Sequence, residues 1–157
     1  MKFIISRTEL FNQLQLMEKV MPTKASVPIL ENVLFTLRND KLTLMASNLE
    51  TSLVAEIAVT NVQEEGSVAM PHDLISWLKA QPEQPLTITV DEQTFQIKIV
   101  TATGNSELAG FDPQEFPSIP EVEKVSTISF PAATLSDGLS KTIFATSDDP
   151  QRLPAMT

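Results

Sequence analysis

The sequence predicts an α+β fold in which helices lie on one face of antiparallel sheets, assembled from a repeated β-α-β-β-β unit. Three observations carry this. The apolar period changes from helical to alternating in the same order twice along the chain. Phe3, Val68 and Ile128 open equivalent apolar runs, so the repeat recurs after 65 and then 60 residues. Each complete copy also ends in three short alternating strands. Such a unit buries its apolar face on its neighbour, so the copies are read together.

The first unit opens with a strand over residues 2–6 and a helix over 8–20. Leu10, Leu14, Met17 and Met21 recur at helical spacing with Phe11 beside them, which makes a core-facing stripe. Thr8 is the expected N-cap. Pro22 and Pro28 bracket a loop that holds Lys24. Strands are expected over 29–37, 41–46 and 52–60. In the last, Leu53, Ala55, Ile57 and Val59 face one way and Ser52, Glu56 and Thr60 the other. Asn39-Asp40 is a turn signal, and Glu64-Glu65 reads as a hairpin tip.

The second unit repeats the order with a strand over 67–70, a helix over 72–80 and strands over 86–90, 94–100 and 106–109. Pro71 suits the first turn of that helix, and Leu74, Ile75 and Leu78 form its stripe. Phe95, Ile97 and Ile99 alternate with Gln96 and Lys98, and Gly104-Asn105 marks a turn. A third unit begins with a strand over 127–130 and a helix over 132–145 striped by Leu135, Leu139 and Ile143. Residues 111–124 hold three prolines without any apolar period and read as a linker. The expected division is one domain over 1–121 and, over 122–157, the linker with the first strand and helix of a second, incomplete domain.

Composition excludes several function classes. The chain has no cysteine, which removes disulfides, thiolate nucleophiles and Cys-based zinc sites. His72 is the single histidine, so two-histidine metal centres and Ser-His pairs lack a partner. It reads as a solvated neighbour of Asp73 at a helix start. Asp148-Asp149 reads as a turn rather than a cation site, and the four glycines form no phosphate cradle. Neither an enzyme nor a cofactor is expected. No signal peptide and no apolar run of about 20 residues is present, so a cytoplasmic protein without membrane contact is expected.

The formal net charge of −9 argues, taken alone, against a nucleic-acid partner. Its distribution argues otherwise. Lys19, Lys24, Lys79 and Lys141 belong to helices or their loops, while the strands carry Arg38, Lys41, Lys98 and most of the acids. A helical layer that gathers cations would face phosphates. The plainer account is that lysines near helix C-termini complement the dipole, worth about 0.3–1 kcal/mol each. Trp77 is expected to pack rather than stack on a base.

Particular motifs go further. They are Val27-Pro28-Ile29-Leu30-Glu31-Asn32-Val33-Leu34, then Leu42-Thr43-Leu44 and Ser47-Asn48-Leu49-Glu50. Met1-Lys2-Phe3, Phe116-Pro117, Phe130-Pro131 with Thr134-Leu135, and Asp149 with Arg152 and Met156-Thr157 join them. Together they resemble, over the whole chain, the bacterial sliding clamp family, the beta subunit of DNA polymerase III. The resemblance implies domains of two β-α-β-β-β units and a subunit of three domains, about 370 residues from six repeats. Two subunits would close head to tail as a homodimeric ring around duplex DNA, helices lining the hole. Such a ring is a non-enzymatic processivity factor. It would partner DNA without sequence preference, the DNA polymerase III catalytic subunit and the clamp loader.

On that resemblance, this chain is expected to be an N-terminal fragment that does not close a ring by itself. Lys19, Lys24, Lys79 and Lys141 match DNA-facing positions. Leu78, Leu108 and Ser106 match the dimer interface, and Arg152 and Met156 the edge of the client-peptide groove. A protein-interaction adaptor without a DNA role is the alternative from a different class.

Overall fold

The computed structural model describes residues 1–22, 24–118 and 126–146. The chain divides into two compact units, Met1–Ile119 and Pro120–Thr157. In the first unit β1 (Lys2–Ser6) leads into α1 (Arg7–Glu18), followed by β2 (Asn32–Arg38), β3 (Lys41–Ser47), β4 (Ser52–Ala58) and β5 (Thr60–Glu64). Then β6 (Gly66–Pro71) leads into α2 (Asp73–Ala80), followed by β7 (Pro85–Val90), β8 (Gln96–Thr101) and β9 (Gly104–Ala109).

The strands form a five-stranded sheet, β5-β1-β7-β8-β9, and a four-stranded sheet, β4-β3-β2-β6, antiparallel throughout. The two repeats therefore do not sit side by side as closed units. They exchange their leading strands. β1 of the first repeat pairs along its whole length with β7 of the second, Phe3 opposite Ile88. β6 of the second repeat pairs with β2 of the first, Phe35 opposite Val68. Each sheet is thus a meander from one repeat plus the opening strand of the other, and β5 of the first repeat extends the five-stranded sheet beyond β1.

Alternation places the apolar face of every strand inward. Phe3, Phe35, Leu44, Ile88 and Ile97 join Leu10, Leu14, Met17, Leu74, Ile75 and Leu78 from the helices in one continuous buried cluster. Both expected helical stripes are buried. At about 25 cal/mol per Å2, removal of this apolar surface from water is the main favourable term of the fold. Trp77 packs against the same cluster, half-buried.

Local chemistry moves several boundaries. Ser6, not Thr8, caps α1, its hydroxyl accepting from the Glu9 amide at 3.3 Å. Glu83 completes the cap from the far side of the sequence. It accepts from the Thr8 amide at 2.9 Å and from the hydroxyls of Thr8 and Ser6. The hydroxyls of Thr8 and then Ser6 hold its carboxyl below the ordinary glutamate value of 4.5. A carboxylate depressed in the folded state stabilises above its unfolded pKa, and that contribution is lost as pH falls through the folded value. Glu83→Gln should accordingly flatten the acid limb of stability below about pH 4.5, checked by urea unfolding from pH 6 to pH 3.

Pro71 ends β6 instead of opening α2, which starts one residue after His72. Residues 28–31 form a 3-10 turn with Pro28 first, so the strand expected from residue 29 begins at Asn32. Residues 52–60 split in two: β4 and β5 belong to different sheets. Glu64-Glu65 is consequently no hairpin tip but the crossover between sheets, since β5 pairs with β1 and β6 with β2. Asn39 and Asp40, both at positive φ (51° and 59°), make the two-residue turn between β2 and β3. The Thr101–Gly104 pair closes β8 and β9 around Ala102 and Thr103, so Gly104-Asn105 lies within β9.

The first part of the expected linker belongs to the first unit. Phe111 and Ala69 exchange backbone hydrogen bonds at 3.0 and 3.1 Å, and Phe116 is buried with Ile29, Leu30 and Ala69. Gly110 is required by this approach, because a Cβ there would lie 2.7 Å from Val68 Cγ2.

In the second unit α3 (Ala132–Ser140) is followed by a 3-10 turn, Ile143–Ala145, where one helix was expected to run to residue 145. Gly138, a poor helix residue, lies near its end. Residues 127–130 form no strand; among the described residues they have no pairing partner, and a lone strand does not persist in water. Leu135 and Leu139 are 53% and 56% exposed.

Candidate nucleic-acid interface

α1 and α2 form one layer and run antiparallel, fixed by contacts at both ends. At one end the Arg7 guanidinium donates to the carbonyls of Leu78 (2.8 Å) and Lys79 (3.2 Å). At the other, His72 Nε2 lies 3.3 Å from the Glu18 carboxylate. The 12 residues of α1 separate these ends by about 18 Å.

This orientation distributes the expected DNA-facing lysines. Lys19 caps the C-terminus of α1 and Lys24 lies in the loop beyond it, both exposed. Lys79 is exposed in the last turn of α2, at the opposite end of the layer. Two of them thus lie at one end of the layer and one at the other. Among the described residues none of the three takes part in an ion pair. By contrast Lys41, on the sheet, is paired with Glu56 at 3.0 Å.

The layer as a whole is close to neutral. Arg7, Lys19, Lys24 and Lys79 stand against Glu9, Glu18 and Asp73. The strands and turns of the same unit are strongly acidic, with Glu50, Glu56, Glu64, Glu65, Asp91, Glu92 and Glu107 among them. Field differences of this kind steer a polyanion to one face even when the net charge is negative.

Lys141, in the second unit, is the C-cap of α3 and pairs with Asp137 at 2.6 Å. Of the expected dimer-contact residues, Ser106 and Leu108 are half-buried on β9. Among the described residues β9 is an edge strand bonded only to β8, so its other side presents backbone groups without a strand partner there. Leu78 requires a correction. It is 0% exposed in the core beneath α2, so its side chain has no surface to offer a partner and acts by seating the helix. Arg152 and Met156 lie outside the described residues.

Two functional contributions had no local signal. Arg7 sits over the Phe11 ring at 4.6 Å and satisfies the last carbonyls of α2, as a cation at a helix C-terminus does. Its partners lie 71 and 72 residues away, beyond the reach of spacing arguments. His72, expected to be solvated beside Asp73, is exposed as expected and also ties α2 to the end of α1.

Comparison with known proteins agrees with this architecture. The chain is 29% identical over 156 residues to the beta sliding clamp of Synechocystis, which spans 95% of this chain and 40% of that protein. The Staphylococcus aureus beta sliding clamp is 27% identical over 165 residues, covering all of this chain and 43% of its own length. The chain thus spans about two fifths of the curated relatives it matches. The Pseudomonas aeruginosa DnaN sliding clamp, solved bound to griselimycin, superposes with a TM-score of 0.89 at 26% identity. That superposition covers 98% of this chain and 42% of the other. The Bartonella birtlesii DnaN sliding clamp superposes equally, TM-score 0.89 at 25% identity, over 97% of this chain and 41% of that one. These likenesses agree with the α+β architecture of exchanged repeats. Residues 1–120 match the family described as DNA polymerase III beta subunit, N-terminal domain, and the chain belongs to that family.

Proposed function

We propose that this chain supplies the N-terminal domain of a DNA sliding clamp, a ring that encircles duplex DNA and tethers the replicative polymerase. The observation that carries the reading is the antiparallel helix pair, which presents Lys19, Lys24 and Lys79, in no ion pair among the described residues, on an otherwise acidic domain. Family membership supports it, as does the repeat, whose copies interlock by exchanging their opening strands. In this reading the domain does no chemistry of its own and needs no cofactor. Phosphate contacts are few and exchangeable, because encirclement rather than affinity retains the DNA.

The same reading assigns the open edge of β9, with Ser106 and Leu108, to the junction with a second subunit in a head-to-tail homodimer. Lys141 faces the DNA from the second domain, and Arg152 and Met156 border the groove for the polymerase and clamp-loader peptides. The site of action is the cytoplasm. Among the described residues no helix is long and apolar enough to cross a membrane.

Fluorescence anisotropy with a labelled duplex tests the DNA contact. Three phosphate contacts predict weak binding whose log K falls with log salt at a slope of about −2 to −3, whatever the base sequence. Replacing Lys19, Lys24 and Lys79 together by Gln should remove most of that slope. The net charge of −9 favours a second reading, an adaptor without a DNA role. No binding at low salt would select it.

A further inference from the structure

Two hairpin turns of the first unit are closed in different ways. Between β2 and β3, Asn39 and Asp40 both take positive φ, the conformation whose twist matches that of paired strands. Between β8 and β9 the turn is Ala102-Thr103, and neither residue has positive φ. Neither belongs to the residue types that readily supply it. A two-residue loop without positive φ splays its strands, so the Thr101–Gly104 pair needs further support. Part of that support is local. Thr101 Oγ1 accepts from the Thr103 amide at 3.3 Å and donates to the Gly104 carbonyl at 3.0 Å.

The rest comes from Gln84, 18 residues earlier, whose Oε1 accepts from the Ala102 amide at 3.0 Å. The base of this side chain is held firmly. The Gln84 carbonyl accepts from the Arg7 amide at 3.0 Å, and Pro85, which opens β7, restricts the residue before it to extended backbone. Gln84 is 9% exposed, and its Nε2 is buried without a hydrogen-bond partner among the described residues. The Ala102 amide fixes this orientation, since only the oxygen of the side-chain amide can accept. A buried donor without an acceptor costs stability that a hydrocarbon side chain of the same length would not. Stability therefore does not explain an amide at this position; the bond to Ala102 does.

We infer that Gln84 is a positioning residue for the open sheet edge: its side chain, rather than the turn residues, fixes the twist and register of β9. What this means for a second subunit rests on the reading of β9 given above; the bracing itself does not. Amide hydrogen exchange, read by nuclear magnetic resonance on the isotope-labelled 157-residue chain, tests it. Gln84→Met keeps the side-chain length and removes both the acceptor and the unpartnered donor. The protected amides of β9 should then exchange about tenfold faster or more, as a locally opened segment does. Those of β2 and β3 should be unchanged, and the urea midpoint unchanged or higher. A self-supporting turn should make Gln84 dispensable, so adding Ala102→Asn and Thr103→Gly should restore the protection of β9. Unchanged exchange at β9, loss of protection throughout the unit, or a lowered urea midpoint would overturn the assignment. So would a failure of the turn substitutions to restore protection. Exchange is read without any partner, so a failure here is distinct from a failure of the junction reading.

Discussion

Residues 1–64 expressed alone should remain unfolded, whereas residues 1–118 should unfold cooperatively. This follows from the strand exchange. The shorter fragment contains an entire β-α-β-β-β repeat, which by its pattern is a self-contained unit. Yet its β1 loses β7, its principal partner over five residue pairs, and its β2 loses β6 over six. α1, deprived of α2, keeps 12 residues, below the length at which an isolated helix persists in water. A chain of about 60 residues is marginal even with its full core. Circular dichroism and a urea titration decide it. A fragment 65–118 added in equal amount should restore a cooperative transition, because the cut falls in the crossover between sheets. Cooperative unfolding of residues 1–64 alone would show that the repeats are autonomous.

Phe3→Ala should cost about 3–5 kcal/mol, a large part of the 5–15 kcal/mol typical of a domain. Phe3 is 0% exposed, on a strand flanked on both sides by β5 and β7. Its removal leaves a void bounded by both sheets and helices, which interlocked strands have little freedom to fill. The matching change on the exposed stripe of the second unit, Leu135→Ala, should alter stability by less than about 0.5 kcal/mol, as surface changes do. Chemical denaturation of the 157-residue chain measures both. A Phe3→Ala cost below about 1 kcal/mol would contradict the continuous core described above.

The repeat, the helical stripes and most strands were legible in the sequence because period and burial are local properties. Leu10, Leu14 and Met17, or Ile97 and Ile99, declare their face by spacing alone. What escaped was pairing. Nothing in residues 2–6 says that Ile4 meets Thr87 of the other repeat rather than a strand of its own. The same blindness turned residues 52–60 into one strand, although the chain changes sheets at Val59. The expected cap Thr8 gave way to its near neighbour Ser6, and the bracing of that cap by Glu83, far along the chain, had no local signal. Lys19 and Lys79 were placed correctly at helix ends and Lys24 in the loop after α1, but their separation along the layer needed the antiparallel contacts of Arg7 and Glu18. Leu78 was assigned to a subunit contact on resemblance, and burial places it in the core instead.

The central claim, that the helical layer is the surface facing DNA, is tested most directly by mapping duplex contacts by nuclear magnetic resonance. The 157-residue chain would be titrated with a duplex of arbitrary sequence at low salt. The account predicts weak, fast-exchanging shifts at Lys19, Lys24 and Lys79 that vanish as salt is raised, and none on β3 or β8. Shifts confined to the sheets, or none at low salt, would contradict it.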